Sequence, residues 1–373
     1  MDALMLPSNW QRVRLGDIGK PCMCKRVMKH QTTRYGEIPF YKIGTFGNTA
    51  DAFISKKLFL EYKTKYSFPK KGDILISASG TIGRAVIYDG KPAYFQDSNI
   101  VWIDNDETLV KNDFLFYAYS NIKWNTEHTT ILRLYNDNFR NTLIPLPPLN
   151  EQIAIANILS DLDHYLYTLD ALILKKESVK KALSFELLSQ RKRLKGFNQT
   201  WQKVRLGDIA NYLTSNLSVE QITQQGKIKV YDVNNFIGYT DIAFISDKPY
   251  ISIVKDGSVG RVRILPPKTN ILSTMGALIA NHKTTTEFLF YLLSNFDFKN
   301  FISGSIIPHI YFKDYKEKTI FLPPLDEQIA IANILSGLDN EITSLKNKKR
   351  QFENIKKALN HDLMSAKIRV LNK

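Results

Sequence analysis

The chain has 373 residues, 44% hydrophobic and 12% aromatic, which is enough to bury more than one core. Fifty-one Lys and Arg against 36 Asp and Glu give a formal net charge of +15, which favours nucleic acid over a membrane surface as the anionic partner. No apolar run is long enough to span a bilayer and the start of the chain lacks a signal-peptide pattern, so we expect a folded cytoplasmic protein without membrane contact.

The cysteines and histidines show no pattern that would hold a metal. Cys22 and Cys24 are too few for a disulfide framework and too close in sequence to bridge easily. The six histidines do not stand at zinc-ligand spacings. The sequence therefore predicts two reduced thiols and no metal site.

The first part of the chain opens with WQRVRLGDI at 10–18 and continues in short runs such as IPFYKIG and GDILISASG. These β-branched and aromatic runs, bounded by Gly, Asp and Asn, are typical of strands and turns, whereas NDFLFYAYSNI predicts a short helix. Gly80 and Gly83 in SGTIG indicate a tight turn between strands, with a backbone contact to nucleic acid as the alternative. We predict one globular domain over 1–148.

A long helix follows. In LPPLNEQIAIANILS at 146–160, the two prolines keep the preceding chain extended and Asn150 stands where an N-cap belongs. Apolar residues then recur every three or four positions as far as Leu187, which predicts an amphipathic helix with its Lys and Glu in water. We assign this helix and its exit to 149–198.

The same plan then repeats. WQKVRLGDI follows at 201–209, and the fifteen residues quoted above return at 322–336 with Asp326 in place of Asn150 as the single difference. Such a match indicates two copies of one structural unit. We predict a second domain over 199–324 and a second helix over 325–373.

Both long helices carry one apolar stripe, so the sequence predicts that they pack on each other as an antiparallel coiled coil. The alternative is that each helix docks on its own domain. The predicted fold class is α+β, with two pseudo-symmetric mixed α/β domains separated by two long antiparallel coiled-coil helices.

Catalytic signatures are missing from the sequence. The LPPL segments lack the amide or carboxylate and the aromatic residue that flank the prolines in amino-methyltransferase loops. Glu61 and Lys63 have the spacing of one nuclease motif but occur in one copy only, and no Walker loop or serine elbow is present. A binding protein without catalytic residues is predicted.

Four probable loop regions mix Lys, Arg, amides and aromatics, a combination suited to positioning phosphates and reading base edges. The candidate DNA-binding residues are Lys25, Arg26, Lys29, Arg34, Lys42, Arg133, Tyr135 and Arg140 in the first domain and Lys227, Lys229, Tyr231, His309, Tyr311 and Lys313 in the second. Basic runs on the long helices are expected to form solvated faces, with contact to a protein partner or to the DNA backbone between the domains as the alternative.

The duplicated W-Q-[RK]-V-R-L-G-D-I, the duplicated L-P-P-L-[ND]-E-Q-I-A-I-A-N-I-L-S and the two divergent regions resemble the DNA-specificity subunit of type I restriction-modification systems over essentially the whole chain. The resemblance implies two target-recognition domains, each reading one half of a bipartite, asymmetric DNA site, and two spacer helices that set the distance between the halves. It implies no cofactor bound by this chain: S-adenosylmethionine is expected on two adenine methyltransferase subunits, and ATP and Mg are also expected in partner subunits, with the ATP hydrolysed by two restriction subunits.

The resemblance also implies that the methyltransferase subunits grip the junctions between domains and helices. The predicted partner-binding residues are Leu149, Glu151, Gln152, Leu325, Glu327 and Gln328. Two alternatives stay open: a subunit of a methylation-only or sequence-switching system, and a duplicated coiled-coil DNA-binding regulator that acts without methyltransferase partners.

Overall fold

The computed structural model describes residues 6–125 and 133–371. The chain forms two compact units: unit 1 contains Met1–Leu169 and Lys348–Lys373, and unit 2 contains Asp170–Asn347. Each unit therefore combines one domain with the start of its own long helix and the end of the helix from the other repeat.

Unit 1 contains mixed strands and short helices followed by the start of the first long helix, whose part from Asp170 onward belongs to unit 2. In chain order the elements are β1 (Gln11–Arg14), α1 (Leu15–Ile18), β2 (Gly19–Met23), β3 (Ile38–Tyr41), β4 (Phe53–Ile54), α2 (Lys56–Lys65), β5 (Ile74–Ser77), β6 (Ala85–Ile87), β7 (Tyr94–Phe95), β8 (Ile100–Asn105), α3 (Asn112–Tyr119), α4 (Asn136–Asn141), β9 (Leu143–Leu146) and α5 (Leu149–Leu188). They make a four-stranded sheet in the order β2-β8-β5-β6, a three-stranded sheet β4-β3-β7 and the pair β1-β9.

Alternation along the central strands gives unit 1 two cores, because successive side chains of a strand point to opposite faces. Ile74 and Ile76 of β5 face a core that includes α3 and Ile155 of α5. Leu75 and Trp102 face the other way, into an aromatic core shared with the three-stranded sheet. The antiparallel pairing of Gln11 with Leu146 holds the start of the domain against the strand that leads into α5.

Unit 2 repeats this architecture. Its elements are β10 (Gln202–Arg205), β11 (Ala210–Thr214), β12 (Ile228–Tyr231), β13 (Phe236–Thr240), β14 (Tyr250–Val254), β15 (Val262–Leu265), β16 (Thr269–Ile271), β17 (Met275–Ala280), α6 (Thr286–Ser294), α7 (Phe312–Tyr315), β18 (Thr319–Leu322) and α8 (Leu325–Met364). The sheets β11-β17-β14-β15, β13-β12-β16 and β10-β18 match those of unit 1 strand for strand. Helix α2 lies in the longer segment between β4 and β5, so much of the extra length of the first repeat is there.

The duplicated glycines confirm the predicted tight turn. Gly80, Gly83, Gly257 and Gly260 all have positive φ, between 65° and 82°, a region that glycine enters without steric cost. A Cβ on Gly83 would also clash with Trp124, and one on Gly260 with Phe298. The turn is a structural requirement of both units.

Both long helices begin at the predicted segment starts, Leu149 and Leu325, but their caps lie two residues before the predicted ones. The Pro148 carbonyl accepts the Gln152 N–H at 3.0 Å, so Pro148 occupies the cap and Asn150 lies inside the first turn. In the second copy the Pro324 carbonyl accepts the Gln328 N–H at 3.0 Å. The N-cap prediction for Asn150 and Asp326 was wrong, because the carbonyl of the second proline takes the first helical hydrogen bond.

Within each unit the two helix segments pair in antiparallel fashion. In unit 1, the Tyr165 and Phe352 rings lie 4.8 Å apart, and Asp163 bonds Lys356 further along. In unit 2, Lys176 bonds Glu341 at 2.8 Å. Each helix start also packs into the core of its own domain, so both arrangements considered from the sequence occur. Of the helices described, none combines the length and apolar character that crossing a membrane requires.

Candidate nucleic-acid interface

A basic cleft of about 480 Å³ lies on the domain of unit 1. Its lining includes Arg26 and Lys29 from the segment after β2, Lys42 from the end of β3, and Arg133. Sequence analysis proposed all four as DNA-binding residues, and the fold brings them together from separate segments. Arg26 is paired with Asp97 at 2.8 Å and Lys42 with Asp51 at 2.9 Å, so the concave surface has a smaller net positive charge, which still suits a polyanion.

The turn between β7 and β8 holds the two arginines of this cleft. Arg26 donates from Nε to Asp97 Oδ2 at 2.8 Å, and Arg133 donates from Nη2 to Asn99 Oδ1 at 3.2 Å. Ser79 donates from Oγ to the same Asn99 oxygen at 2.7 Å. The sequence analysis missed these acceptors, because only the fold brings the turn beside Arg26 and Arg133.

The same turn contains a strained residue. Ser98 has a φ of 59°, in the left-handed region that non-glycine residues rarely occupy. Such strain costs on the order of 1 kcal/mol and is concentrated at ligand-binding positions. Ser98 lies between Asp97 and Asn99, the two residues that accept hydrogen bonds from Arg26 and Arg133.

The other candidates of unit 1 do not line the cleft. Lys25 lies with its ammonium 5.0 Å from the Tyr66 ring, and Tyr135 is 40% exposed. Arg34 and Arg140 are exposed, the latter beside Gly16. For these four, DNA contact stays a prediction.

In unit 2, the place of Arg133 is occupied by His309. The bridge between Ser79 and Arg133 in unit 1 is matched by one between Asp256 and His309. His309 Nδ1 lies 2.6 Å from Asp256 Oδ1. The Tyr311 ring stacks at 6.3 Å from the imidazole, and the Lys313 ammonium lies 5.4 Å from the Tyr311 ring. Three candidate residues are thus neighbours here.

The remaining candidates of unit 2 lie on or beside β12. Lys227 and Lys229 are exposed. The Arg263 guanidinium lies 5.1 Å from the Tyr231 ring and donates to the Asn234 carbonyl at 2.5 Å. Sequence analysis missed Arg263 because the residue lies in strand β15, whereas the candidates were selected from probable loops.

The positive charges that line the basic cleft of unit 1 are missing at the equivalent positions of unit 2. Each repeat has a 3-10 turn at the same place, Lys29–Gln31 and Val219–Gln221, followed by the matching strands β3 and β12. Aligned without a gap over this segment, Arg26 corresponds to Asn216, Lys29 to Val219 and Lys42 to Asp232. The two domains share a scaffold and differ in the chemistry at the cleft.

At each junction a buried glutamate joins three segments. In unit 1, Trp10 Nε1 donates to Glu151 at 3.1 Å, and Arg369 makes two bonds to its oxygens at 2.7 and 2.9 Å. The carboxylate is 2% exposed and raises the pKa of the Arg369 guanidinium. Arg369 follows α8, so the end of the second repeat closes on the start of the first helix.

Unit 2 contains the equivalent anchor. Trp201 Nε1 donates to Glu327 at 2.9 Å, and Arg193 donates to its two oxygens at 2.8 and 2.7 Å. Arg193 and Arg369 stand at the same repeat position when the chain is aligned on the fifteen shared residues. We call these two clusters the Trp–Glu–Arg anchors.

The glutamines next to these glutamates are also internal. Gln152 accepts the Lys111 N–H at 2.8 Å and donates to the Pro147 carbonyl at 2.9 Å. Gln328 accepts the Thr285 N–H at 3.1 Å and donates to the Pro323 carbonyl at 2.8 Å.

Four of the six predicted partner-binding residues therefore need a different description. Because the two glutamates and two glutamines are buried and bonded within their own units, their side chains hold the junctions together. Leu149 and Leu325 are 39% and 44% exposed, and for them partner contact stays a prediction.

An exposed apolar surface adjoins each of these leucines. Ile153 and Ile329 are each 46% exposed, and Ile158 and Ile334 are also exposed. These isoleucines are identical in the two copies although packing does not constrain them. We call Leu149 with Ile153, and Leu325 with Ile329, the helix-start patches. Sequence analysis did not single out these isoleucines, since the identity alone does not show which positions face solvent.

Neither cysteine forms a disulfide, and burial raises the pKa of the Cys24 thiol to about 12. Across residues 6–125 and 133–371, His, Cys, Asp and Glu side chains form no cluster of three or more that could hold a metal ion.

Comparison with known proteins gives consistent matches. A family model for the type I restriction modification DNA specificity domain matches residues 7–176 and 198–354. A protein of Haemophilus influenzae named as a type I restriction enzyme specificity subunit is 64% identical over 148 residues, which is 39% of this chain and 38% of that relative. The MjaVIII specificity subunit of Methanocaldococcus jannaschii is 27% identical over 416 aligned positions, covering 100% of this chain and 96% of the relative.

A solved structure shares the fold. The crystal structure of a type I restriction-modification S subunit from M. genitalium is 20% identical, with a TM-score of 0.65 over 97% of this chain and 98% of that one.

Proposed function

This chain belongs to the type I restriction modification DNA specificity family, and from that premise we propose that it is the DNA-reading, non-catalytic subunit of a restriction-modification complex. In this proposal the domain of each unit binds one half of a bipartite DNA site. The two halves differ in sequence.

The observation that carries this proposal is one scaffold built twice with different side chains at the same place. Two equivalent domains suit a duplex whose backbone has twofold symmetry. Arg26, Lys29 and Lys42 in the cleft of unit 1 correspond to Asn216, Val219 and Asp232 in unit 2. Because base edges are distinguished by donors and acceptors, such a difference favours an asymmetric target.

The helix-start patches support a duplicated protein partner. Large apolar side chains that stay exposed and identical in two copies favour burial against the same surface twice. Leu149 with Ile153 and Leu325 with Ile329 meet this description. We assign the patches to two copies of an adenine methyltransferase subunit that carries S-adenosylmethionine, with ATP hydrolysed by restriction subunits and Mg also in the partner subunits.

The competing interpretation, a DNA-binding regulator that works without methyltransferases, has less support. It leaves the matched apolar patches without a partner, and the family to which the chain belongs is one of type I restriction-modification systems. Co-purification distinguishes the two: a specificity subunit retains a methyltransferase, and a regulator does not.

The decisive experiment maps methylated adenines in source cells with and without this chain. We expect one motif with two different halves and a fixed non-specific spacer that disappears when the chain is deleted. An unchanged methylation map after deletion, or a chain-dependent motif that is a palindrome, would contradict the proposal.

A further inference from the structure

Arg133 is held in the basic cleft both at its backbone and at its guanidinium. Its backbone pairs with Ser79 in an isolated bridge, and the next residue, Leu134, donates its N–H to the Ala78 carbonyl at 2.8 Å. The guanidinium donates to Asn99 Oδ1 at 3.2 Å. Both ends of the side chain are therefore fixed against the four-stranded sheet.

The acceptor is itself positioned. Ser79 donates to Asn99 Oδ1 at 2.7 Å, and the Asn99 carbonyl accepts the Ala78 N–H at 2.8 Å. A guanidinium has five N–H donors in one plane, and a neighbour that holds one of them sets the direction of the others. Arg133 is half-buried, whereas the side chain of Arg26 is 67% exposed.

This arrangement fits a base edge better than a phosphate. A phosphate is satisfied by a point charge on a flexible stem, and Lys29 on the same lining provides such a charge, whereas Lys42 is paired with Asp51 at 2.9 Å. The planar fork of an arginine matches O6 and N7 of guanine, the commonest specific contact in the major groove. The cleft thus combines a cation for the backbone with one oriented fork for a base.

The equivalent place in unit 2 cannot make that contact. His309 lies 2.6 Å from Asp256 through Nδ1, which leaves Nε2 as the one ring nitrogen for a base. A single nitrogen does not provide two parallel donors. The two half-sites should therefore differ at the base pair that faces this position.

We propose that Arg133 reads a guanine in the half-site bound by the domain of unit 1, and that His309 faces a different base at the equivalent position of the other half-site. This inference rests on the proposed function and assigns one specificity-determining residue to each half.

The test is a chromosomal R133K substitution in the source cells, followed by mapping of methylated adenines. Lysine keeps the charge and loses the fork, so the preference for guanine at one position of one half-site should fall about tenfold or more. The H309A substitution serves as the matched control: it should leave that guanine position unchanged and relax a position in the other half.

Failure of the inference and failure of the proposed function give different results. An unchanged R133K motif, or relaxation at a base other than guanine, overturns the inference and leaves the proposed function standing. If R133K abolishes methylation, the purified complex is measured at low salt on duplexes that differ at each guanine in turn. Equal binding at one of these guanines supports the inference, and retained discrimination at all of them overturns it. A wild-type chain without any chain-dependent motif overturns both proposals.

Discussion

The Trp–Glu–Arg anchors are nearly the same in the two repeats, whereas the side chains of the clefts differ. Glu151 and Glu327 have the same partners at nearly the same distances. At the cleft, by contrast, Lys42 corresponds to Asp232 and Arg133 to His309, so charge and hydrogen-bonding pattern both change.

Burial explains why the anchors are the same in both repeats and the cleft residues are not. The two anchor carboxylates are 2% and 1% exposed, and a buried charge that loses its partner is expensive. Replacing Trp10 or Arg369 would leave donors or acceptors unsatisfied. Cleft residues lie at the surface, where a substitution changes the charge and hydrogen-bonding groups that face solvent and leaves the fold intact. The two repeats thus keep their junctions constant while the side chains of their clefts differ.

The largest effect is expected from breaking an anchor. Arg193→Ala leaves Glu327 buried with only the Trp201 N–H as a charge-stabilising partner, and should destabilise unit 2 by about 3 kcal/mol. Arg369→Ala should act in the same direction on unit 1. Hydrogen exchange, resolved by peptide, measures each unit separately.

Lys192→Ala is the matched control, since Lys192 is exposed and next to Arg193. Equal stability of Arg193→Ala and wild type would show that the anchor does not hold the junction of unit 2.

A smaller effect is expected at the helix-start patches. Ile153→Ser and Ile329→Ser should each weaken methyltransferase binding about tenfold, because a half-exposed isoleucine can still bury apolar area against a partner. Stability should change little. The measurement is co-purification from source cells together with chain-dependent adenine methylation.

Leu174→Ser supplies the comparison for these variants. Leu174 is 64% exposed on α5 but corresponds to Arg350 in the other repeat, so it lacks a duplicated counterpart. A loss of partner binding in Leu174→Ser as large as in Ile153→Ser would mean that identity between the copies does not mark the docking surface.

Sequence periodicity predicted the long helices and their pairing because each helix carries one apolar stripe that favours packing against a partner. It did not predict the anchors. Glu151 was predicted to contact a partner subunit, whereas its carboxylate binds Arg369, which lies near the other end of the chain and is brought close only by the fold. The cleft shows the same limit: Arg26 and Arg133 stood out by charge, but Asp97 and Asn99, which orient them, have no distinguishing local pattern.

A second, weaker contact is also duplicated. Tyr117 donates its hydroxyl to Asp163 at 2.9 Å, and Tyr291 donates to Asp339 at 2.9 Å. Tyr117→Phe and Tyr291→Phe should each cost about 1 kcal/mol of stability at neutral pH. Unequal losses measured by denaturant unfolding would indicate that the two units use this contact differently.

The pH dependence of these two variants follows from the tyrosine pKa. Burial first, and the hydrogen bond to aspartate second, raise the pKa of Tyr117 and Tyr291 above the ordinary value. The neutral phenol therefore contributes stability that is complete below about pH 10 and is lost as the pH rises toward the folded-state pKa. The difference between wild type and either variant should shrink above pH 10. A constant difference across that range would mean that the two phenols do not titrate differently in the folded and unfolded states.

The smallest effect concerns a single exchanged charge. Lys29 and Val219 are exposed and occupy equivalent 3-10 turns, so each residue can be transplanted without disturbing a core. If Lys29 meets a phosphate, Lys29→Val lowers the slope of log affinity against log salt by about 0.9, and Val219→Lys raises it by a similar amount if the two domains approach DNA in the same way. Binding of the purified complex to duplex DNA between 50 and 200 mM salt measures both slopes. A change in Lys29→Val without a change in Val219→Lys would show that the shared scaffold does not impose a shared position of the DNA backbone, and that the divergence extends from the side chains to the docking itself.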